Sequence, residues 1–193
     1  VGHVDETKHH SFNQTMWTCV LASDWGVKFR IDPSRGQGAA KKILGEQPEF
    51  ITVSDRYAGY NHLPIDKRQV CWAHLLRDFE RIGGRGALAG RIGKRLLAYG
   101  RLMFRWRDQA KGARHFVWLQ RRIQTQLQLG STQDQCSRTA NTCANLLKLW
   151  PALWMFLRNP LVPPTNNAAE RALRDYVIKR KFSYCTRSKR GME

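Results

Sequence analysis

From residue 88 onward the apolar side chains fall in helical steps. Leu88, Ile92, Leu96, Tyr99, Met103 and Trp106 are spaced 4, 4, 3, 4 and 3 residues apart, which is one face of a long helix. Phe116, Leu119, Ile123 and Leu127 form a second such face. Ala140, Cys143, Leu147 and Trp150 mark a third, ending near Pro151, with Gly130-Ser131-Thr132 as the break before it. So long a purely helical stretch cannot belong to a sheet, and it reads as an all-helical insertion.

Before Gly83 the chain has a different character. HVDET, WTCVLAS and VKFRID are short runs rich in Val, Thr, Trp and Phe, as strands are. The turn Ser23-Asp24-Trp25-Gly26 predicts a hairpin between the second and third. The polar stretch KHHSFNQTMW after the first run reads as a loop, as does Asp32-Pro33-Ser34-Arg35-Gly36. Gly38 to Leu44 predicts a short helix closed by Gly45. FITVS returns as a strand ending at Asp55, RQVCWAH as another, and LLRDFERI as a helix. The expected order, β-β-β-α-β-α-β-α, implies an α/β fold with a mixed sheet flanked by helices. Pro160, Pro163 and Pro164 make a rigid link back, and a helix is expected from Asn167 through Ala172, Leu173, Tyr176 and Val177. The expected division is therefore residues 1–82 as the first part of the core, 83–160 as the insertion and 161–193 as the return to the core.

Charge follows the same division. Residues 1–66 hold 7 Lys/Arg against 8 Asp/Glu, and residues 67–193 hold 26 against 7. A near-neutral, acid-bearing part thus precedes a strongly basic one, which points to a polyanionic partner. No apolar run approaches the roughly 20 residues that span a bilayer. The five cysteines, Cys19, Cys71, Cys136, Cys143 and Cys185, are odd in number and form no CxxC pair. They argue against a disulfide framework and fit a reducing cytosol. The start at Val1 and the stop just after a basic run suggest a piece of a longer protein.

Three acids stand in unusual places. Asp5 follows a short apolar start, Asp55 ends an apolar strand, and Glu170 opens an apolar-periodic helix. Carboxylates at strand ends are common functional placements in α/β sheets, but Asp is also a favoured turn residue. Asn167-Ala168-Ala169-Glu170 equally matches a capping box, in which Glu170 would reach back to the helix start. Gathered together, three carboxylates repel one another and their pKa values rise. A divalent cation removes that cost, and a pair of them can serve displacement at phosphorus.

VDET, IDPSRG, VSDRYAGYNHL, RQVCWAHLLRDFERI and PTNNAAERALR, followed by KRKFSY and RSKRG, together resemble the catalytic domain of DDE transposases of the insertion sequence 66 family. The resemblance covers nearly the whole chain, in order. It implies a ribonuclease-H-like fold with a large helical insertion between the second Asp and the Glu. By it, Asp5, Asp55 and Glu170 are the catalytic and metal-binding triad, holding two Mg2+ ions for which Mn2+ can substitute. The expected activity is hydrolysis of phosphodiesters at transposon ends, then strand transfer to target DNA. His74, in Cys71-x-x-His74, is expected as a further catalytic residue near the active site, orienting a strand or a carboxylate; a histidine at the edge of the core is an equal alternative. Cys185 departs from the family pattern, where glycine is expected.

The same resemblance implies double-stranded DNA as partner (both transposon ends and target), self-association of protomers, no membrane, and a nucleoid-associated place in the bacterial cytoplasm. Arg56, Arg77, Asn166, Asn167, Arg171, Arg174, Lys179, Arg180 and Lys181 are the expected DNA contacts. Arg91, Lys94, Arg95, Arg101, Arg105, Arg107, Arg114, Arg121 and Arg122 make a wider basic surface in the insertion. Trp106, Trp118, Trp150 and Trp154 are expected in the core. Two rival readings share these features: a structure-specific nuclease of the same fold, and an inactive DNA-binding relic.

Overall fold

A computed structural model describes residues 1–11, 14–133 and 135–183. They form a five-stranded mixed sheet and eight α-helices, in two compact units: the described residues of 1–71 with 151–183, and those of 72–150. None of the described helices is long and apolar enough to cross a membrane.

The first unit opens with a three-stranded antiparallel meander, β1 (Gly2–Ser11), β2 (Gln14–Ser23) and β3 (Gly26–Asp32). The hairpin at residues 23–26 closes as the turn residues predict, with Gly26 at φ 144°, a backbone conformation that side-chain-bearing residues avoid. Lys8 to Ser11 belong to β1, not to a loop. They pair with residues 14–17 of β2, because a polar strand face is stable wherever its ladder is complete and one side meets water.

After α1 (Gln37–Leu44), strands β4 (Thr52–Ser54) and β5 (Arg68–Val70) add in parallel, giving the order β3-β2-β1-β4-β5. Two short 3₁₀ turns, Ala58–Tyr60 and Ile65–Lys67, connect β4 to β5 where an α-helix was expected. β5 is shorter than RQVCWAH suggests, since Trp72 already begins α2 (Trp72–Gly83).

Alternation along β1 and β2 gives the sheet two apolar faces. Val4 and Cys19 pack with Ala39, Ala40, Ile43, Leu44, Tyr60 and Leu63 beneath α1. Val20, the next residue of β2, packs with Ala169 and Leu173 of α8 (Asn167–Ser183). Adjacent strand residues point to opposite faces, so one helix covers each side. Two single-turn helices, α6 (Trp150–Leu153) and α7 (Met155–Arg158), precede α8. Pro151 therefore sits inside a helical turn rather than after one. Gln69 ties α6 and α7 to β5 through Leu153 O (3.3 Å) and the Phe156 N–H (2.9 Å).

The second unit is helical: α2, α3 (Ala87–Asp108), α4 (Ala113–Thr132) and α5 (Ser137–Lys148), with α2, α3, α4 and α5 packed in succession. Helix α4 runs through Gly130-Ser131-Thr132, expected to be a break. Gly130 is buried against the Cys143 side chain of α5, so the residue serves close packing rather than a turn. Trp118 also departs from expectation, being 43% exposed on α4.

Helices α2 and α3 meet backbone to backbone at Gly83 and Gly93, where a Cβ on Gly93 would collide with the Gly83 main chain. Gly93→Ala should therefore cost roughly 1–3 kcal/mol through overpacking. Gly38→Ala, in the open on α1, should instead stabilise by about 0.5–1 kcal/mol. Urea midpoints of the two variants moving in the same direction would contradict this account.

Candidate active site

Strand register decides where the acids go. His3 pairs with Val53, and Ser54 with Val70. Continuing both registers in step sets Asp5 level with Asp55, and Asp55 level with Cys71. Neighbouring strands lie about 4.8 Å apart, so residues 50 apart in sequence end side by side at one edge of the sheet. That edge is the carboxyl end of parallel strands, where α/β sheets carry their sites.

Helix α8 brings Glu170 to the same edge from its first turn. Asp5 and Glu170 both line an open cavity of about 670 Å³, together with Thr7, Leu173 and Arg174. A Glu170 carboxylate oxygen also lies within 4.8 Å of the Cys71 Sγ. Asp55 is not part of that cavity wall, but its charge acts on Asp5. Burial first, and then the charges of Glu6, Asp55 and Glu170, push the Asp5 carboxyl up to about 7.

Each aspartate has one oxygen fixed by a nearby amide. The Glu6 N–H donates to Asp5 Oδ1 at 2.8 Å, and the Tyr57 N–H donates to Asp55 Oδ1 at 2.9 Å. Helix α8 is held in place by Asn166. Its side-chain amide donates to Val4 O (2.8 Å), its Oδ1 meets the His3 ring (3.3 Å), and its N–H donates to Cys71 Sγ (3.2 Å). The helix therefore starts at Asn167, and Glu170 stands one position past the slot a capping box requires.

Two features of the site went unnoticed in the sequence. Glu6 is a fourth acid, on the opposite face of β1 from Asp5, where burial raises its pKa while Tyr60 and Arg35 lower it. It accepts from the Tyr60 hydroxyl and from Arg35 Nε, the latter at 2.6 Å. The adjacent letters Asp-Glu on a strand were the signal, since alternation sends them to different faces.

The other is Arg68, 1% exposed in β5. Its guanidinium donates to Ser54 Oγ (3.2 Å), Asp55 O (2.9 Å), Tyr60 O (3.1 Å) and Asn61 Oδ1 (3.2 Å). Burial pulls its pKa down to about 10, which leaves it a cation at neutral pH. A buried arginine spent on loop acceptors holds the backbone that carries Asp55. Arg68→Met leaves the acceptors on buried Ser54 and Tyr60 unmatched, so a loss of about 2–4 kcal/mol is expected. A urea midpoint equal to that of the wild type would show that another group holds the loop.

Of the expected DNA contacts, Arg174 is exposed on the cavity wall. Arg180, farther along α8, donates to Thr7 Oγ1 at 3.2 Å, on the same face of β1 as Asp5. Arg171 and Asn167 are exposed around a second cavity, and exposed Lys179 borders a third. Arg56 follows Asp55 directly and is half-buried. Asn166 is a correction: it is fully buried and its amide is committed inside the protein, so it cannot reach DNA. His74 and Arg77 lie on α2 in the second unit, half-buried and exposed respectively. Lys181 is in α8, but its side chain falls outside the described residues, as does Cys185.

A family model described as Transposase IS66 family matches residues 1–193. No curated protein and no solved structure matches the chain.

Proposed function

Because the chain belongs to the transposase IS66 family, we propose that its first unit is a DDE-type catalytic core that cuts DNA at transposon ends and joins the freed strand to a target. A meander extended by two parallel strands, with a helix on each face, supports reading that unit as ribonuclease-H-like. The observation that carries the chemistry is the approach of Asp5, Asp55 and Glu170 to one end of the sheet, where burial first, and then the charges of Glu6, Asp55 and Glu170, raise the Asp5 pKa.

Crowded, partly buried carboxylates fit hard divalent cations. Asp5, Asp55 and Glu170 would hold two magnesium ions, or manganese in their place, and such ions supply Lewis acidity and activated water at a phosphodiester. The chain's own groups prepare the site. Asp5 must lose its proton before it can act as a ligand. The Glu6 and Tyr57 amides orient the two aspartates, and Asn166 fixes the helix that carries Glu170. Arg174 and Arg180 place positive charge along the same side, where a DNA backbone would run, and such contacts make binding steeply salt-dependent.

The test is a strand-transfer assay with a precleaved duplex bearing the terminal sequence of the protein's own element. Joined product in magnesium is expected. Cleavage without joining would identify a nuclease instead, and neither reaction would leave only DNA binding.

A further inference from the structure

Arg35 lies in the loop after β3, in a stretch that otherwise reads as a plain turn. Three contacts fix it. Its Nε donates to Glu6 Oε1 at 2.6 Å, and its guanidinium carbon packs over the rings of Trp17 (5.1 Å) and Tyr57 (3.9 Å). Glu6 in turn accepts from the Tyr60 hydroxyl and has a side chain only 2% exposed, whereas the Arg35 side chain is 36% exposed. The guanidinium is thus anchored through its inner nitrogen and two aromatic faces. Its two terminal nitrogens, which carry four N–H donors, are not used in any of these contacts.

The anchoring residues belong to the site's own frame. The Glu6 N–H holds the carboxylate of Asp5, and the Tyr57 N–H holds that of Asp55. Arg35 therefore bridges the residues that orient both aspartates. Asp5 shares its face of the sheet with Val20, under α8, whereas Glu6 shares the other with Cys19, under α1. An anion on Arg35 would thus lie beyond the acids on the α1 side, not between them.

The geometry points to Arg35 as a preorganised clamp for a DNA phosphate flanking the reacting one. A planar guanidinium whose terminal nitrogens take no part in these contacts, on a side chain 36% exposed, offers paired N–H donors at the spacing of two phosphate oxygens. Stacking on aromatic rings locks the plane and reduces the entropy lost on binding. A phosphodiester is the anion of choice because the chain is a transposase-family protein with a strong basic excess. Glu6 serves as the holder of the clamp: it takes the inner nitrogen and leaves the outer edge to the ligand. This inference rests on the DNA-processing reading above, but its test does not need catalysis.

Affinity of the full chain for a fluorescent DNA duplex would be measured across potassium chloride concentrations, without magnesium. Three proteins are compared: wild type, Glu6→Gln, and the double variant Glu6→Gln with Arg35→Gln. The double variant removes both charges together, so no lone buried charge remains to unfold it; circular dichroism confirms its fold. Losing one phosphate contact should make the slope of log affinity against log salt shallower by about 0.9. At low salt, affinity should fall roughly tenfold. Glu6→Gln alone should keep the wild-type slope.

A folded double variant that retains the wild-type slope overturns the clamp, because a purely structural ion pair would not change counterion release. Where turnover is measurable, the double variant should raise KM for the duplex by a larger factor than it lowers kcat. A fall in kcat alone would assign the pair to positioning the aspartates instead. A slope change without any magnesium-dependent turnover would retain the clamp and reject the transposase chemistry.

Discussion

Asp55→Ala is expected to reduce magnesium-dependent strand cleavage by roughly a thousandfold or more, since a divalent site at phosphorus contributes several kcal/mol to the transition state. Duplex binding without metal should stay within a few-fold of wild type, because the basic residues are untouched. The fold should also survive. The Asp55 carboxylate contributes one hydrogen bond to its loop, from the Tyr57 N–H, while Arg68 grips the backbone carbonyl, which alanine retains. Asp5→Ala and Glu170→Ala should behave alike. Removal of magnesium by chelation should mimic all three in the wild type. A Glu170→Ala protein that cleaves and joins at the wild-type rate would remove that residue from the chemistry and dissolve the triad.

The second large effect is a pH dependence that reverses with metal. Asp5 has a folded pKa of about 7 against an ordinary value of 3.8. Between those values the folded protein binds more protons than the unfolded chain. The Asp5 contribution to metal-free stability should thus be full below about pH 4 and be lost as pH rises through 7, by up to about 4 kcal/mol. Asp5→Asn should abolish that decline and be the more stable protein at pH 8. Divalent binding requires the deprotonated acid. Magnesium should therefore raise the thermal midpoint of the wild type little at pH 5.5 and markedly at pH 8.5, with no such gain in Asp5→Asn. A metal-free stability that climbs between pH 5 and 8, with Asp5→Asn following it in parallel, would contradict the crowded-acid picture.

Most of the helices were legible from periodicity. The faces at Leu88 to Trp106 and Phe116 to Leu127 became α3 and α4 because an apolar stripe leaves a helix few ways to bury itself. The hairpin at Ser23 to Gly26 and the stop at Gly45 follow from local turn chemistry. Residues whose role depends on distant partners were not legible. Asn166 looks like any polar residue before a helix, yet it is consumed by Val4, His3 and Cys71. Arg68 sits in a three-residue strand whose pattern says nothing of the loop it grips. Gly130 reads as a breaker, and only the Cys143 side chain reveals it as a packing contact.

The acids show where the division lies. Local pattern drew attention to Asp5, Asp55 and Glu170 but gave each a plain structural alternative, a turn aspartate or a capping-box glutamate, and only the family resemblance grouped them as a triad. Their placement depended on long-range facts: parallel pairing of β1 with β4, a register that sets position 5 level with position 55, and a helix that Asn166 ties to β1 and to Cys71 after β5. Local sequence governs which backbone conformation each segment prefers. Register and docking are set by burial summed over segments up to 173 residues apart, and no short pattern contains that sum.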